Sequence, residues 1–475
     1  MDFSATEEGH SADRQEQPTD EDYSSSAVSV PDQEPGQEPA LQPVAASLAV
    51  SSESRRSWGP LPGLAVAGLI VVSFLLRAIW LDLPPGSLIF DEKYYVSAAR
   101  TILDLPQPPD GAYVSSKAGI DPNTEHPPLA KLIIAGDMSI LGDNGWGFRW
   151  PSVVVGTLSI AFMFQLARWA GLANWAAVLA AFIYAFDNMV FVNSRTGLLD
   201  IFMMLGMLAG ATWYLARRPV LAGLAFAFGA LCKEYGVYGP AILVTFSVVL
   251  TIMQRPERRE VARRALRAVV MGIVFAVTFL VVLWALDRHW TEYKTPFAHL
   301  VHIWQYGTTL THPLGPTGIE SWPWQWLVDE VQPPYLKVTV TVCKISSSDN
   351  APCPTDDILR VFDTVLFRGA LNPYLIFMAP LAAGYVLMML RQRGDRTALL
   401  AALWFVISYL PFIPAAVIDH RISYIYYMFP VIPSLVIASA QLFSDPRIPR
   451  VLTGAYIVAI LWGFGAYFPF IGFHT

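Results

Sequence analysis

Eleven apolar runs, each close to the length that crosses a bilayer, constrain this 475-residue chain more than any other feature. An α-helix needs about 20 apolar residues to span the hydrocarbon core. Hydrophobic residues make up 54% of the chain and charged residues only 15%, which excludes a string of soluble domains. The sequence therefore predicts an all-α polytopic membrane protein with about eleven transmembrane helices. We expect these spans at 61–81, 148–168, 173–190, 198–216, 219–236, 238–253, 268–286, 369–390, 398–415, 422–441 and 451–470.

The first 57 residues have a different composition from the rest. They are rich in Ser, Pro, Glu and Gln and poor in aromatic residues, so we expect an acidic, disordered leader before a transmembrane domain at 58–475. The leader has no basic segment followed by an apolar core, so it is not a cleavable signal peptide. No basic tract or aromatic-interleaved patch indicates a nucleic-acid partner.

The arginine-rich short loops give the orientation. Segments such as "RPERREVARRALR" and "RQRGDR" follow alternate spans, and the positive-inside rule places them in the cytoplasm with the leader. Two long loops, about 82–147 and 287–368, then face the outside. "DEKYYVSAARTIL" and "HPPLAKLIIAGDMSIL" in the first loop are amphipathic but too short to cross, so we expect interfacial helices there and another in the later loop. The chain is predicted to be a multi-pass cell-membrane protein with a cytoplasmic N-terminus.

The three cysteines fit this orientation. Cys343 and Cys353 bracket "KISSSDNAP" in the second outer loop, where an oxidising compartment permits a disulfide, although two unpaired thiols are the alternative. Cys232 lies within a span and is interpreted as an inert core residue.

Ionisable residues gather at the outer ends of the spans, beginning with Asp91 and Glu92 just after the first span. Either carboxylate could cap the following helix, and either could accept a proton in catalysis. Arg195 and Asp200 could form an ordinary ion pair across a helix turn. The other polar residues at this level are Asp187, Asn188, Lys233, Glu234, Asp419, His420 and Arg421, whereas His312 could simply be a loop histidine. The cytoplasmic ends hold mainly Arg, so this one-sided mixture of acids and bases favours an extracytoplasmic active site.

Other functions fit the sequence less well than an extracytoplasmic active site. No HExxH, paired CxxC or Walker-type glycine loop supports metal hydrolysis or nucleotide binding. The tryptophans of "SWPWQWL" are more typical of an interfacial aromatic belt than of a sugar platform. A transporter would instead place ionisable groups at mid-membrane depth and show internal repeats. The sequence shows neither.

Read in order, several stretches resemble the protein O-mannosyltransferase family of C-fold (GT-C) membrane glycosyltransferases. "IFDEKYY" resembles its first-loop Asp-Glu motif, "HPPLAKLIIA" its His-Pro-Pro helix, and "NSRTGLLDIF" its Ser-Arg…Leu-Leu-Asp turn. "LCKEYGVYG" is similar to the Lys-containing fifth-helix segment, "THPLGPTGIESWPWQW" to the His-Pro…Trp-Pro stretch, and "RISYIYYMFP" to the Arg…Tyr…Pro motif. The resemblance covers about residues 60–470.

The resemblance implies inverting transfer of mannose from a polyprenyl-phosphate-linked donor to Ser or Thr hydroxyls of exported proteins. Asp91 would accept the hydroxyl proton and Glu92 would position the acceptor or the base. The residues expected to stabilise the leaving phosphate are Arg421, Lys233 and Arg195. Those expected to bind the sugar or the acceptor are His126, His312, Asp187 and Tyr424.

The resemblance also implies cofactors and partners, and the sequence departs from the family pattern in two places. No cofactor is required if cations stabilise the phosphate, although the acidic pair could hold a divalent metal. The protein-export machinery is a further candidate partner, and a glycolipid acceptor is the alternative to a protein one. Glu234 stands where the family pattern leads us to expect an aromatic residue. The loop 287–368 is too short for the β-trefoil insertion of eukaryotic members, so a bacterial-type protein without it is expected.

Overall fold

The computed structural model describes residues 60–109, 111–343 and 358–471. Numbered along the chain, its first ten helices are α1 (Pro60–Ala78), α2 (Glu92–Ile102), α3 (Leu129–Leu141), α4 (Gly145–Ala170), α5 (Asn174–Ala185), α6 (Asn188–Asn193), α7 (Asp200–Leu215), α8 (Pro219–Cys232), α9 (Tyr238–Gln254) and α10 (Arg258–Trp290). They are followed by α11 (Pro296–Thr309), strands β1 (Pro334–Cys343) and β2 (Ile358–Arg368), α12 (Pro373–Arg393), α13 (Arg396–Tyr409), α14 (Phe412–Val417), α15 (Ile432–Phe443) and α16 (Arg450–Ala466). Short 3-10 turns occupy Glu234–Val237, Pro323–Val328 and Ile425–Val431.

The predicted helical bundle is confirmed. Among the described residues, seven helical segments are long and apolar enough to cross a membrane, and four shorter apolar helices accompany them. The segment Ile425–Phe443 is 89% buried and packs against α5, α12 and α13, whereas only 17% of Pro60–Ala78 is buried. The bundle therefore has α15 near its centre and α1 at its periphery.

Polar residues interrupt two of the predicted spans. The span expected at 173–190 divides into α5 and α6 because Asp187 accepts a hydrogen bond from Val190 N and starts a new helix there. The span at 219–236 ends early, since Lys233 is extended (φ −155°, ψ 132°) and separates α8 from the following 3-10 turn. Both interruptions lie beside the ionisable residues considered below.

The close packing of α7 on α8 brings two of those residues together. A Cβ atom on Gly206 of α7 would lie 2.5 Å from the Cα of Gly229 on α8, so only glycine allows the two backbones to approach this closely. The connection between these helices is short, and they run in opposite directions. Asp200 at the start of α7 therefore meets Lys233 at the end of α8.

The two long loops contact each other at one end of the bundle, which we call the loop end. The first loop contains α2 and α3 and the second contains α11, in agreement with the predicted short helices. The backbone N–H of Phe90 donates to the carbonyl of Tyr335, and that of Asp121 donates to the carbonyl of Trp290.

The second loop also contains an antiparallel hairpin, β1–β2, that an all-α prediction did not include. The free edge of β2 pairs with the segment 469–471: Leu366 N donates to Pro469 O (2.7 Å) and Ile471 N to Thr364 O (2.9 Å). Two earlier expectations, the leader at 1–57 and a Cys343–Cys353 disulfide, concern side chains or segments outside the described residues. Cys232 is buried and unpaired, as a core residue should be.

Candidate active site

Asp91 lies at the start of α2, but its carboxylate does not cap the helix. Its backbone carbonyl accepts from Tyr94 N and Tyr95 N (2.9 and 3.1 Å), while the side chain makes no capping hydrogen bond. The expectation that this carboxylate is a cap is therefore wrong. Within the described part of the chain the Asp91 side chain has no hydrogen-bond or ion-pair partner, although it is partly buried.

The residue before Asp91 fixes where the carboxylate lies. Phe90 has a φ of 55°, in the left-handed region that bulky residues rarely adopt. Its ring stacks on Tyr335 with centroids 4.0 Å apart, and its N–H donates to the Tyr335 carbonyl at 3.2 Å. Strand β1 thus holds the turn that presents Asp91.

Glu92, the neighbouring carboxylate, is fully buried and saturated with hydrogen bonds. It accepts from Ile89 N and Gly197 N, each at 2.7 Å, and from Nε and Nη2 of Arg149, each at 2.8 Å. Arg149 also donates to the carbonyls of Leu81 and Ser87. Glu92 anchors α2 to α4 and to the turn before α7, directly beside Asp91, and its expected role in positioning the acceptor or the base stays a prediction. We call Glu92 and Arg149 the anchor.

The surroundings of Asp91 raise its pKa to about 6. Burial is the main cause, and the Asp200 carboxylate adds to it. The positive charges of Lys233 and Lys93 act in the opposite direction. A carboxylate with a pKa near neutrality is suited to accept a proton from a weak nucleophile and later release it.

Lys233 is almost completely buried and bridges to Asp200, with Nζ 2.8 Å from both carboxylate oxygens. The ion pair expected between Arg195 and Asp200 is replaced by this one. The rings of Tyr426 and Tyr235 lie 5.5 and 6.0 Å from Nζ, so the ammonium is surrounded by aromatic faces. A cation in such surroundings is available to a developing anion.

His126 and Glu234 form a second polar pair in the site. Nδ1 of His126 lies 2.8 Å from Oε2 of Glu234, and the edge of the Tyr95 ring packs against the imidazole. The residue that departs from the family pattern thus contacts the histidine of the His-Pro-Pro segment.

Arg421 lies beside the tyrosine cluster, which comprises Tyr235, Tyr424, Tyr426 and Tyr427. Its guanidinium donates to the Gly307 carbonyl and lies beside the hydroxyls of Tyr235 and Tyr427. Tyr424 stacks on Tyr426 with centroids 5.1 Å apart. The cluster therefore connects Lys233 to Arg421.

His312 belongs to a shallow cleft beside Arg421. The ring Nδ1 of His312 lies 3.4 Å from Oε2 of Glu320, and the backbone N–H of His312 donates to the His420 carbonyl. Residue 312 and Arg421 line the same cleft, together with Trp322. The structure thus brings His312 close to one of the predicted phosphate-binding residues.

Two other predicted site residues, Arg195 and Asp187, make structural contacts, and their expected binding roles stay predictions. Arg195 donates to the carbonyls of Leu76, Ile79 and Trp80. These carbonyls lie where α1 ends, so the helix itself provides no donor for them. Asp187 caps α6 and accepts from Asn372 N at 2.8 Å, joining α5 to the start of α12. Helix ends leave unpaired backbone groups, and these two side chains satisfy them.

Sequence reasoning did not identify Arg149 or the pairing partner of His126. Arg149 stands alone in the apolar stretch "GWGFRWP", 57 positions from Glu92, so no local spacing indicates the pair. An isolated charge within a predicted span was the available signal.

Part of the chain is similar to known mannosyltransferases. Residues 125–284 match the family model described as dolichyl-phosphate-mannose-protein mannosyltransferase. A polyprenol-phosphate-mannose–protein mannosyltransferase of Mycolicibacterium smegmatis is 29% identical over 167 residues, which are 34% of this chain and 31% of that protein. Its counterpart in Mycobacterium tuberculosis is 31% identical over 160 residues, 31% of this chain and 28% of that protein.

This part of the chain is therefore similar to the protein mannosyltransferase family. The matched region spans about a third of the length of these curated relatives. It includes His126, Lys233 and Glu234, whereas Asp91 and Arg421 lie outside it.

Solved structures extend the likeness in fold to most of the chain. The Saccharomyces cerevisiae Pmt1-Pmt2 complex bound to the sugar donor has a TM-score of 0.64 at 12% identity, covering 87% of this chain and 90% of that one. ArnT from Cupriavidus metallidurans bound to undecaprenyl phosphate has a TM-score of 0.53 at 18% identity, covering 83% and 62%. The chain therefore has the GT-C fold that the family resemblance implied.

Proposed function

We propose that this protein is a protein O-mannosyltransferase that transfers mannose from a polyprenyl-phosphate-linked donor to Ser or Thr hydroxyls of exported polypeptides, with inversion. The names of the curated relatives support this donor and a protein acceptor. The observation that carries the proposal is the Asp91 carboxylate, which has no partner among the described residues and lies in the electrostatic field of Lys233.

In the proposed reaction, Asp91 is the general base. A Ser or Thr hydroxyl is a weak nucleophile, so its oxygen attacks the anomeric carbon as its proton passes to the Asp91 carboxylate. The bond from the anomeric carbon to the phosphate oxygen breaks on the opposite face. The products are the O-mannosylated polypeptide and polyprenyl phosphate, and Asp91 returns its proton to water.

The charge that develops on the leaving phosphate requires cations. Lys233 and Arg421 lie at the two ends of the tyrosine cluster; Lys233 is almost completely buried and Arg421 is partly buried, and electrostatic stabilisation is stronger away from bulk water. Asp200 holds the Lys233 ammonium in place before the donor arrives. These cations supply the positive charge without a cofactor in our proposal.

An apolar cavity of about 340 Å³ lies between α12, α13 and α15, and one of its lining residues, Met428, directly follows Tyr427 in the chain. Its lining includes Pro380, Phe405 and Met428, and almost all of its surface is apolar. We assign part of the isoprenoid chain of the donor to this cavity, because hydrocarbon is the ligand such a lining favours.

The many apolar helices and the GT-C fold establish a multi-pass membrane protein. We further propose that the loop end faces away from the cytoplasm, that the N-terminus is cytoplasmic, and that the export machinery delivers the acceptor. Single cysteines at Ser116 and at Arg255, which lie at opposite ends of the bundle, test the orientation. Membrane-impermeant maleimide should label Ser116→Cys in intact cells and not Arg255→Cys, and the reverse pattern would refute the orientation.

The decisive experiment uses purified protein in lipid nanodiscs, polyprenyl-phosphate-mannose and a Ser/Thr-rich peptide. Mass spectrometry should detect peptide carrying one hexose, and a peptide whose Ser and Thr are all replaced by Ala should stay unmodified. Consumption of the donor with mannose appearing only on lipid would instead support the glycolipid acceptor.

A further inference from the structure

The His126–Glu234 pair is a carboxylate–imidazole dyad within the site. The two side chains are 17% and 25% exposed, so solvent or substrate can reach them, unlike the fully buried anchor. The resemblance to the family leads us to expect an aromatic residue at position 234, which would have no carboxylate to pair with the imidazole. The dyad is therefore a property of this chain that the family pattern does not predict.

The dyad fixes which imidazole nitrogen is available to a ligand. An ionised carboxylate only accepts hydrogen bonds, so Nδ1 of His126 carries the proton that it shares with Glu234. In the neutral ring, Nε2 then has a free lone pair. Nε2 has no hydrogen-bond partner in the parts of the chain that the structure describes.

The free lone pair on Nε2 determines which ligand groups can hydrogen-bond there. A phosphate oxygen at the cleaved bond accepts hydrogen bonds and would be repelled by a second acceptor. A hydroxyl group donates and fits. A sugar offers several hydroxyls in fixed directions, and one of them can be read by a single well-placed acceptor.

The location of the dyad matches the sugar. The ring of Tyr95, whose N–H donates to the Asp91 carbonyl at the start of α2, packs against the His126 ring with centroids 6.0 Å apart, and Glu234 directly follows Lys233 in the chain. The dyad thus extends from the base toward a phosphate-binding cation. In an inverting transfer the sugar ring must occupy this interval, with the acceptor on one face and the phosphate on the other.

We infer that Glu234 positions His126 so that its Nε2 accepts a hydrogen bond from one hydroxyl of the donor sugar, which makes the dyad a determinant of sugar specificity. This inference rests on the proposed mannosyl transfer and adds the group that recognises the sugar. His126 contacts the substrate, and Glu234 acts only through His126.

A cycle between protein variants and donor analogues tests the contact. The donors are polyprenyl-phosphate-mannose and a series of analogues that each lack one sugar hydroxyl, assayed with wild type and His126→Ala. Wild type should use one analogue about tenfold less well than its neighbours, the effect of one neutral hydrogen bond. His126→Ala should lose about tenfold with the complete donor and show no further loss with that same analogue.

Equal proportional loss with the complete donor and every analogue would overturn the inference, because no sugar hydroxyl would then be coupled to His126. Absence of transfer from the complete donor by wild type would refute the proposed function itself. The two failures are thus distinguishable.

The role of Glu234 is tested by two substitutions in the same assay. Glu234→Gln keeps an oxygen that accepts from Nδ1 and should retain most of the preference for the complete donor, whereas Glu234→Ala should abolish that preference. Glu330→Ala, which removes an exposed carboxylate from the loop end, is the matched control and should behave as wild type. A preference that persists in Glu234→Ala would overturn the positioning role.

Discussion

The anchor and the proton-accepting site begin with neighbouring residues in the sequence, yet their surroundings are opposite. Glu92 receives hydrogen bonds from two backbone N–H groups and an arginine, and none of its side chain is exposed. Asp91 receives none from the described residues, and its pKa is raised to about 6. A carboxylate whose hydrogen bonds are all satisfied holds structure, whereas an unsatisfied one beside cations is free to react. Two adjacent acids can therefore divide support and chemistry between them.

Substitution of Asp91 should produce the largest effect on activity. Asp91→Asn removes the proton acceptor and should lower mannosyl transfer by about 10²- to 10⁴-fold, measured with labelled donor and peptide. Folding should not suffer. The folded-state pKa lies above the unfolded value, so the ionised side chain costs stability as the pH rises through about 6, and Asn removes this cost.

The matched control for this variant is Asp104→Asn, at the other end of α2. Asp104 is exposed and has a φ of 56°, which Asn tolerates, so both activity and melting temperature should be unchanged. A markedly lower melting temperature for Asp91→Asn would show that Asp91 shares the structural role of the anchor.

Loss of the anchor should affect folding before chemistry. Arg149→Met leaves the Glu92 carboxylate buried without its cation, which should lower the free energy of unfolding by about 3–5 kcal/mol. Thermal unfolding in detergent measures this. The double variant Glu92→Gln with Arg149→Met removes both charges and should recover part of the loss. A fully stable but inactive Arg149→Met protein would contradict the division between anchor and site.

Arg421→Ala should have a smaller, donor-specific effect. Loss of a charge-assisted contact to phosphate should raise the KM for the donor by about 10- to 100-fold and leave the KM for the peptide unchanged. Arg450→Ala, at the exposed start of α16, is the control for removing an arginine. An unchanged donor KM would exclude Arg421 from phosphate binding.

The pH dependence should show the smallest but most specific change. Protonated Asp91 cannot accept a proton, so the rate of wild type should fall about tenfold per pH unit below pH 6. Asp200→Asn removes a charge that raises the pKa of Asp91 and releases Lys233 from its partner, so the acid limb should move to lower pH. A limb that stays in place would mean that Asp91 is not the titrating base.

Much of the architecture could be predicted from the sequence because hydrophobic length is a local property. The eleven apolar helices, the short helices of the loops and the position of Asp91 after the first span all follow from runs of adjacent residues. The β1–β2 hairpin was not predicted. The alternation of β-branched residues in "VTVTV" is a strand signal, but an all-α prediction does not use it.

The partners of the charged residues could not be predicted in the same way. Asp200 was expected to pair with Arg195, five positions away, yet it pairs with Lys233 because α7 and α8 pack through glycines. Arg195 instead closes the end of α1. Sequence distance is a poor guide to ionic partners in a bundle, where helix packing determines which ends meet.

The pairing of β2 with residues 469–471 affects the position of Asp91, which is distant from them in the sequence. Phe470 contacts β2, β2 pairs with β1, and β1 holds Phe90 in the rare backbone conformation that precedes Asp91. Residues nearly 380 positions apart in sequence are thus linked through one small sheet. Disturbance at Phe470, by substitution or by a bulky label, should be felt as misalignment of the reacting carboxylate rather than as a local defect.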